Sequence, residues 1–442
     1  MSYTEQVGRL ISGLCFEDIP DAVVAKLKTC LLYGLSMAAA SPQRSSGMAA
    51  ARAVIGGTGE STVFCRPEYL SARDAAWLNA YVACARGQND TFADLYAHGG
   101  CIAIPAVLAL ADERNATGKD VLLAMAAGYE TLALLAQGAS VDVVKRGFRA
   151  TSVFGVFASA AASAKLLGLS QKETANALSL ATQFSCGTMQ CWEEGTPEWQ
   201  VQVGHVAQAG ITAALLAGAG HESAAMALEG NSGLYRAFSG QAPLLHDGWI
   251  WKTPEVVFKP MPGCLINQGP AYLLLSLLNA HSIDGPAVGK VDVWLSGANA
   301  CYPGISNYGP FDAEAGAIMS CPFMLAMILR QSKVRSTDFS EHWGPDKIHE
   351  LSRKVQVHAD DGLSQWGCRV QVTDGSGQSC QASIADMSSF QFGWDEVVNI
   401  LSATLDEWSM PDASGRFSRM CQCIDALEES RRASELTALM RP

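Results

Sequence analysis

Two stretches of the chain, SVFGVFASAAASAKLLGL and VGHVAQAGITAALLAGAG, are apolar almost throughout and rich in alanine, glycine and serine. A helix without a polar face has to be buried on several sides, and small side chains let neighbouring helices approach closely. Such stretches belong in a crowded bundle of many helices. The rest of residues 1 to about 250 fits that frame. YTEQVGRLISGL, DAVVAKLKTCLLYGLSMAAA, ARDAAWLNAYVACARG and GKDVLLAMAAGYETLALLAQGAS carry apolar residues at helical spacing. Cys101 to Asp112 reads as a further helix, with Pro105 tolerable near its start. SQKETANALSLATQFS opens on a capping box, Ser170 with Glu173.

The pattern changes near Trp251. TPEVVFKPMPGCLINQ, with its prolines and a lysine, reads as a crossing segment, and QGPAYLLLSLLNAHS as one more helix. GKVDVWLSG, RKVQVHADDG and CRVQVTDGSGQSCQASI alternate like strands, the last with an Asp-Gly turn signal. Between them DAEAGAIMSCPFMLAMILRQ is a helix interrupted at Pro322. From WDEVVNILSATLDEW onward the chain is helical again and returns to the bundle. The expected fold is therefore mainly α: a large helical domain from residues 1–254 and 396–442, and a smaller α+β domain from 255–395.

Composition narrows the partners. The 442 residues are 49% hydrophobic and 17% charged, so a large core can form and apolar surface is left for an oligomer interface. The net charge of −12, without a run of lysines or arginines, argues against nucleic acid and anionic membrane. The start lacks the pattern of a signal peptide, and no uninterrupted apolar stretch reads as a membrane span. The 14 cysteines are scattered without a CxxC pair, which fits a reducing cytoplasm and suggests no zinc or iron–sulfur site.

GQNDTFADLYAHGGCIAIPAVLAL places Asp90, Asp94 and His98 at i, i+4 and i+8 before an apolar helix. If the stretch is helical, two acids and an imidazole share a face and can serve proton transfer. A polar surface turn preceding a helix explains the same residues.

Taken in order, four stretches resemble the MmgE/PrpD family, whose members dehydrate 2-methylcitrate, decarboxylate cis-aconitate or epimerise iminodisuccinate. They are Asp90 to Leu110, RGFRATSVFGVFASAAASAKLLGL, GHVAQAGITAALLAGAG and FKPMPGCLINQ. The resemblance implies a helical domain with an α+β lid, a homodimer, an active site in the cleft between domains, and no metal or organic cofactor. The shared chemistry is proton addition, removal or migration beside a carboxylate of a small acid. That chemistry needs a base near the carbon and cations or donors around the carboxylate.

By this resemblance Asp90 matches the family's leading aspartate, and Asp94 stands where a polar residue, often threonine, is usual. His98 matches the family histidine and Lys259 the lid lysine, so Asp90, His98 and Lys259 are the expected catalytic set. Other positions depart from the family. Arg149 replaces a histidine, Trp199 a lysine, Gln202 and Gln268 histidines, and Phe323 a tyrosine. Together with Asp94 these are expected to contact substrate. Arginine binds carboxylate in a fork but cannot act as a base, and glutamine offers hydrogen bonds without taking a proton. The loop MQCWEEGTPEWQ is a candidate for the pocket rim, and Tyr302 and Tyr308 for a replacement donor. The expected function is that of a cofactor-independent lyase or isomerase on a small carboxylic acid. The substrate has one or two carboxylates, or an apolar part against Trp199 and Phe323, rather than being 2-methylcitrate. The other reading is a family-fold protein that binds a small acid or a partner without the chemistry.

Overall fold

The structure is a computed structural model and describes residues 1–41, 46–342, 344 and 348–442. The fold is mainly α with a small α+β part. Helices Ala72–Cys84, Gly100–Arg114, Gly118–Ala136, Ala150–Leu166, Gln171–Ala181 and Trp199–Gly218 pack on one another, and Tyr3–Gly13 and Asp21–Ala39 close their flanks. Small residues set the spacing. A Cβ added at Gly210 would lie 2.3 Å from Ser159 Cβ, and one at Gly128 would lie 2.8 Å from the Ala158 carbonyl oxygen. Those helices touch backbone to backbone.

Helix ends follow the sequence. Ser170 Oγ accepts from the Glu173 N–H, and Glu173 accepts from the Ser170 N–H. Ser2 with Glu5 and Thr117 with Asp120 make the same reciprocal cap. Pro105 departs from expectation. It sits beyond the first turn of Gly100–Arg114, where its missing N–H leaves the carbonyl four residues back without a helical donor.

Two helices, Asp21–Ala39 and Trp199–Gly218, are long and apolar enough by mean hydropathy to cross a membrane, although polar residues and glycine interrupt both. Both have most of their residues inside the fold, which explains their apolarity through core packing.

Beyond a short antiparallel pair, β1 (Ser61–Thr62) with β2 (Tyr69–Leu70), the strands form one sheet. Its members are β3 (Lys290–Leu295), β4 (Val355–Ala359), β5 (Cys368–Thr373) and β6 (Ser379–Ile384), in the order β4-β3-β5-β6. β3 runs parallel to β4, and the other pairs are antiparallel. Val291, Val293, Val355, Val370 and Val372 are buried at alternate positions and face the helices Gln268–Ala280 and Cys321–Gln331. Ser320 caps the second of these, and Pro322 lies in its first turn, so the chain breaks there into two helices. The C-terminal helices Trp394–Ser402 and Ala413–Asp425 pack on Asp21–Ala39.

Candidate active site

Residues 87–99 do not form an α-helix. Phe92 and Ala97 exchange backbone hydrogen bonds, Ala93–Leu95 makes a single 3-10 turn, and Tyr96 takes the left-handed conformation with φ of +51°. The helix begins only at Gly100. The three polar residues of the segment therefore point three ways. Asp94 is exposed and borders a separate cavity. Asp90 is buried behind the cleft wall, where its carboxylate accepts from Tyr129 Oη at 2.7 Å and from the Gly100 N–H at 3.1 Å. Burial pushes that carboxyl up to about 6, although the two donors pull the other way.

His98 faces the cleft. Its Nδ1 lies 2.8 Å from Thr91 Oγ1, and the Thr91 hydroxyl donates its one proton to the Asn89 carbonyl at 3.0 Å. Thr91 Oγ1 is then the acceptor, Nδ1 carries the ring proton, and the lone pair is on Nε2. Burial, and then the charges of Lys259 and Arg149, hold the imidazole well below its usual range. His98 is thus a neutral base near pH 7.

The crossing segment delivers Lys259. Val257 and Thr91 exchange backbone hydrogen bonds at 2.9 and 3.0 Å, which lays the segment beside the one carrying His98. Glu130, fully buried, accepts from the backbone N–H groups of Lys252 and Thr253 and anchors the start of the crossing. The Lys259 carbonyl accepts from Tyr33 Oη and Gln88 Nε2, and Nζ donates to the carbonyls of Gly87 and Gly263. Two of its three N–H bonds are so used, leaving one for the cleft. Burial brings the ammonium down to about 8.

Arg149 stands just before the Ala150–Leu166 helix. Its guanidinium packs against a pair of adjoining indoles whose rings are 5.2 Å apart, lying 5.5 Å from the Trp192 ring and 5.6 Å from the Trp199 ring, and donates to the Trp199 carbonyl at 2.9 Å. The loop MQCWEEGTPEWQ thus turns its tryptophans inward, while Glu193, Glu194 and Glu198 stay in solvent.

His98, Arg149, Trp199 and Lys259 line one cleft of about 650 Å³. Lys259 is 2% exposed and Arg149 5%, and neither makes an ion pair among the described residues. Among the described residues, no carboxylate lines the cleft. Buried charges are ordinarily paired, so two such cations mark an anion site.

Other expected contacts lie elsewhere. Gln202 donates to the Thr188 carbonyl and accepts from Ser152 Oγ. Gln268 is fully buried, donates to the carbonyls of Met261 and Cys264, and braces the loop that carries Gly263. Phe323 sits in the core of the α+β part against Phe311 and Phe339. Tyr308 offers its carbonyl to His349 and does not line the cleft, whereas Tyr302 does. Tyr302 stacks on Tyr96, which in turn packs on Trp366. Thr91, Tyr96 and Trp366 carry no motif in the sequence, apart from Thr91 adjoining Asp90.

A helical fold of this order, with two buried cations lining one cleft, defines a class. Residues 5–246 match the MmgE/PrpD N-terminal domain, and the chain belongs to that family. Among curated proteins it is similar to the cis-aconitate decarboxylase of Aspergillus terreus, 27% identical over 410 residues that cover 84% of this chain and 83% of the relative. It is also similar to the human cis-aconitate decarboxylase, 24% identical over 467 residues, covering 100% of this chain and 95% of that one.

Proposed function

We propose that the chain is a lyase or isomerase that moves a proton beside a carboxylate of a small organic acid, with its own side chains supplying the chemistry. The observation that carries this is the pair of buried cations, neither in an ion pair among the described residues, beside a buried histidine whose Nδ1 meets Thr91. A proton α to a carboxylate is weakly acidic because its removal adds charge to a group already negative. Lys259 supplies an N–H and a positive charge where that charge grows, and Arg149 holds a carboxylate in a fixed orientation. His98 takes the proton through Nε2 and returns it to the same or a neighbouring carbon. Delivery of a proton from solvent to the opposite face of the same carbon is epimerisation. Expulsion of a β leaving group by the anion's electron pair is lyase chemistry, and so is loss of carbon dioxide, in which the electrons of the broken C–C bond pass to carbon and a proton then takes them up. The cis-aconitate decarboxylases it resembles support the lyase arm.

A second reading rests on Gln202 and Gln268, which stand at family histidine positions and are committed to groups within the chain. A cleft with fewer proton carriers can bind an acid without turning it over. One experiment separates the two readings. The protein is incubated in D2O with succinate, citrate, cis-aconitate and itaconate, and C–H exchange is followed by proton NMR. Exchange that disappears in His98→Asn supports the enzyme. An acid that raises the melting temperature but shows neither exchange nor turnover sinks it in favour of binding alone. A homodimer belongs to the same proposal, since Val201, Leu215 and Leu216 stay exposed on the Trp199–Gly218 helix. Light scattering should give about twice 46.8 kDa.

A further inference from the structure

The cleft lining combines two cations, Arg149 and Lys259, with an aromatic surface. Tyr96, Tyr302 and Trp366 form that surface, with Tyr96 stacked on Tyr302 at 6.1 Å and 9° and packed on Trp366 at 5.2 Å. Leu265, Ile266 and Ile318 line the same cleft. Tyr96 Oη already donates to Asn299 and Tyr302 Oη is turned to Met189 Sδ, so the Trp366 indole N–H, buried without a partner among the described residues, is the one ring donor left on that surface. Two cations pair two carboxylates, and a third would be desolvated without a cation of its own, at a cost that such groups do not bear.

Trp366 has a second role in the geometry. It lines this cleft and also the neighbouring cavity of about 720 Å³ that Phe92, Val257 and Met387 border. The indole stands where the two spaces adjoin, so its size bears on how far a group held by the cations can reach toward the second cavity.

We infer that the cleft selects an acid with at most two carboxylates and one uncharged apolar arm, which lies against Tyr96, Tyr302 and Trp366, and that Trp366 sets the length of that arm. This rests on the acid-site reading above and adds the substrate class to it. It also moves the apolar contact away from Phe323, which is sealed in the core, and from Trp199, which covers Arg149.

The test is calorimetric titration of the whole protein with four probes: succinate, phenylsuccinate, (3-phenylpropyl)succinate and tricarballylate. Phenylsuccinate should bind about ten-fold or more tighter than succinate, the gain a hydrophobic pocket gives for a buried group of this size. Tricarballylate should bind more weakly than succinate. In Trp366→Ala the preference should pass to the phenylpropyl probe, because the arm then enters the second cavity. Trp366→Phe keeps a ring in the partition and should give an intermediate preference, which covers a failure of the alanine variant to fold. Tricarballylate binding tightest, or a phenyl arm that adds nothing over succinate, overturns this inference and leaves the acid site standing. An arm preference unmoved in both variants overturns the role of Trp366. Binding by none of the four overturns the acid-site reading and this inference with it.

Discussion

Lys259 and Arg149 share a sign and a cleft but are held for different work. Lys259 Nζ is fixed by the carbonyls of Gly87, at the head of the stretch that carries His98, and of Gly263, in its own segment, and in the proposed reaction it sits where charge develops. Arg149 is packed against two adjoining indoles and has no proton to exchange. Lys259→Ala should therefore cost on the order of 10²–10³ in kcat, whereas Arg149→Ala should chiefly raise KM. Steady-state kinetics on the true substrate check this, and the reverse split would exchange the two roles. The pH profile gives an independent readout. Lys259 is lowered from 10.5 to about 8, so its charge is present below that pH and lost above it. His98, held well below 6.5, stays neutral throughout this range. kcat/KM should fall as pH rises through about 8, and Lys259→Arg, which keeps the charge, should carry the fall to higher pH. Unfolding does not explain such a fall. Between about 8 and 10.5 the unfolded chain holds the lysine proton that the folded chain has released, so the contribution of Lys259 to stability rises with pH there. A melting temperature dropping in step with activity would point to another group.

At the scale of elements, the start of the Gly100–Arg114 helix joins site to scaffold. A Cβ at Gly100 would fall 2.4 Å from Asp90 Oδ1 and 2.6 Å from Tyr129 Oη. Gly100→Ala should cost about 1–3 kcal/mol by overpacking and displace His98 two residues away. Gly13→Ala, where a Cβ meets nothing within 4 Å, should do neither. Urea unfolding and activity of the two variants measure the difference. This junction also shows what could be read in advance. Long apolar periodicities and capping residues such as Ser170 are local signals, and the helices and the β5–β6 hairpin follow from them. The spacing of Asp90, Asp94 and His98 invited a helical face, but the Phe92–Ala97 bridge and the left-handed Tyr96 turn the chain before Gly100. Their hydrogen bonds outweigh a spacing that no apolar stripe supported. Gln202 and Gln268 were readable as departures but not in their direction, because carbonyls from other segments capture them. Trp366 meets the cleft only through the packing of the α+β part on Tyr96, a contact of distant residues that no local pattern announces.

Across the whole molecule, a buried ion pair ties the C-terminal chain to the cleft. The Arg86 side chain is fully buried and meets Glu407, itself 9% exposed, at 3.0 Å. Arg86 also donates to the Ala40 carbonyl and to Gln88 Oε1, and Gln88 Nε2 donates to the Lys259 carbonyl. The Gly263 N–H bonds to the Arg86 carbonyl, while the Gly263 carbonyl receives Lys259 Nζ. Glu407 accepts from the Ser336 N–H as well, so one carboxylate joins both chain halves. Desolvation offsets much of the attraction in such a pair, but deleting one partner strands the other charge in the interior. Glu407→Ala should therefore destabilise the protein by about 3–5 kcal/mol. Replacing both partners with apolar residues, Arg86→Met with Glu407→Leu, should cost less than Glu407→Ala alone. Activity should follow a different order. The double variant lacks the Arg86–Gln88 contact that steadies Lys259, so its kcat should fall even where its stability recovers. Chemical unfolding and kinetics on the single and double variants test both statements. A double variant as unstable as the sum of its two single substitutions would show that the pair is not coupled. A recovered fold with unchanged kcat would show that Lys259 is placed without it.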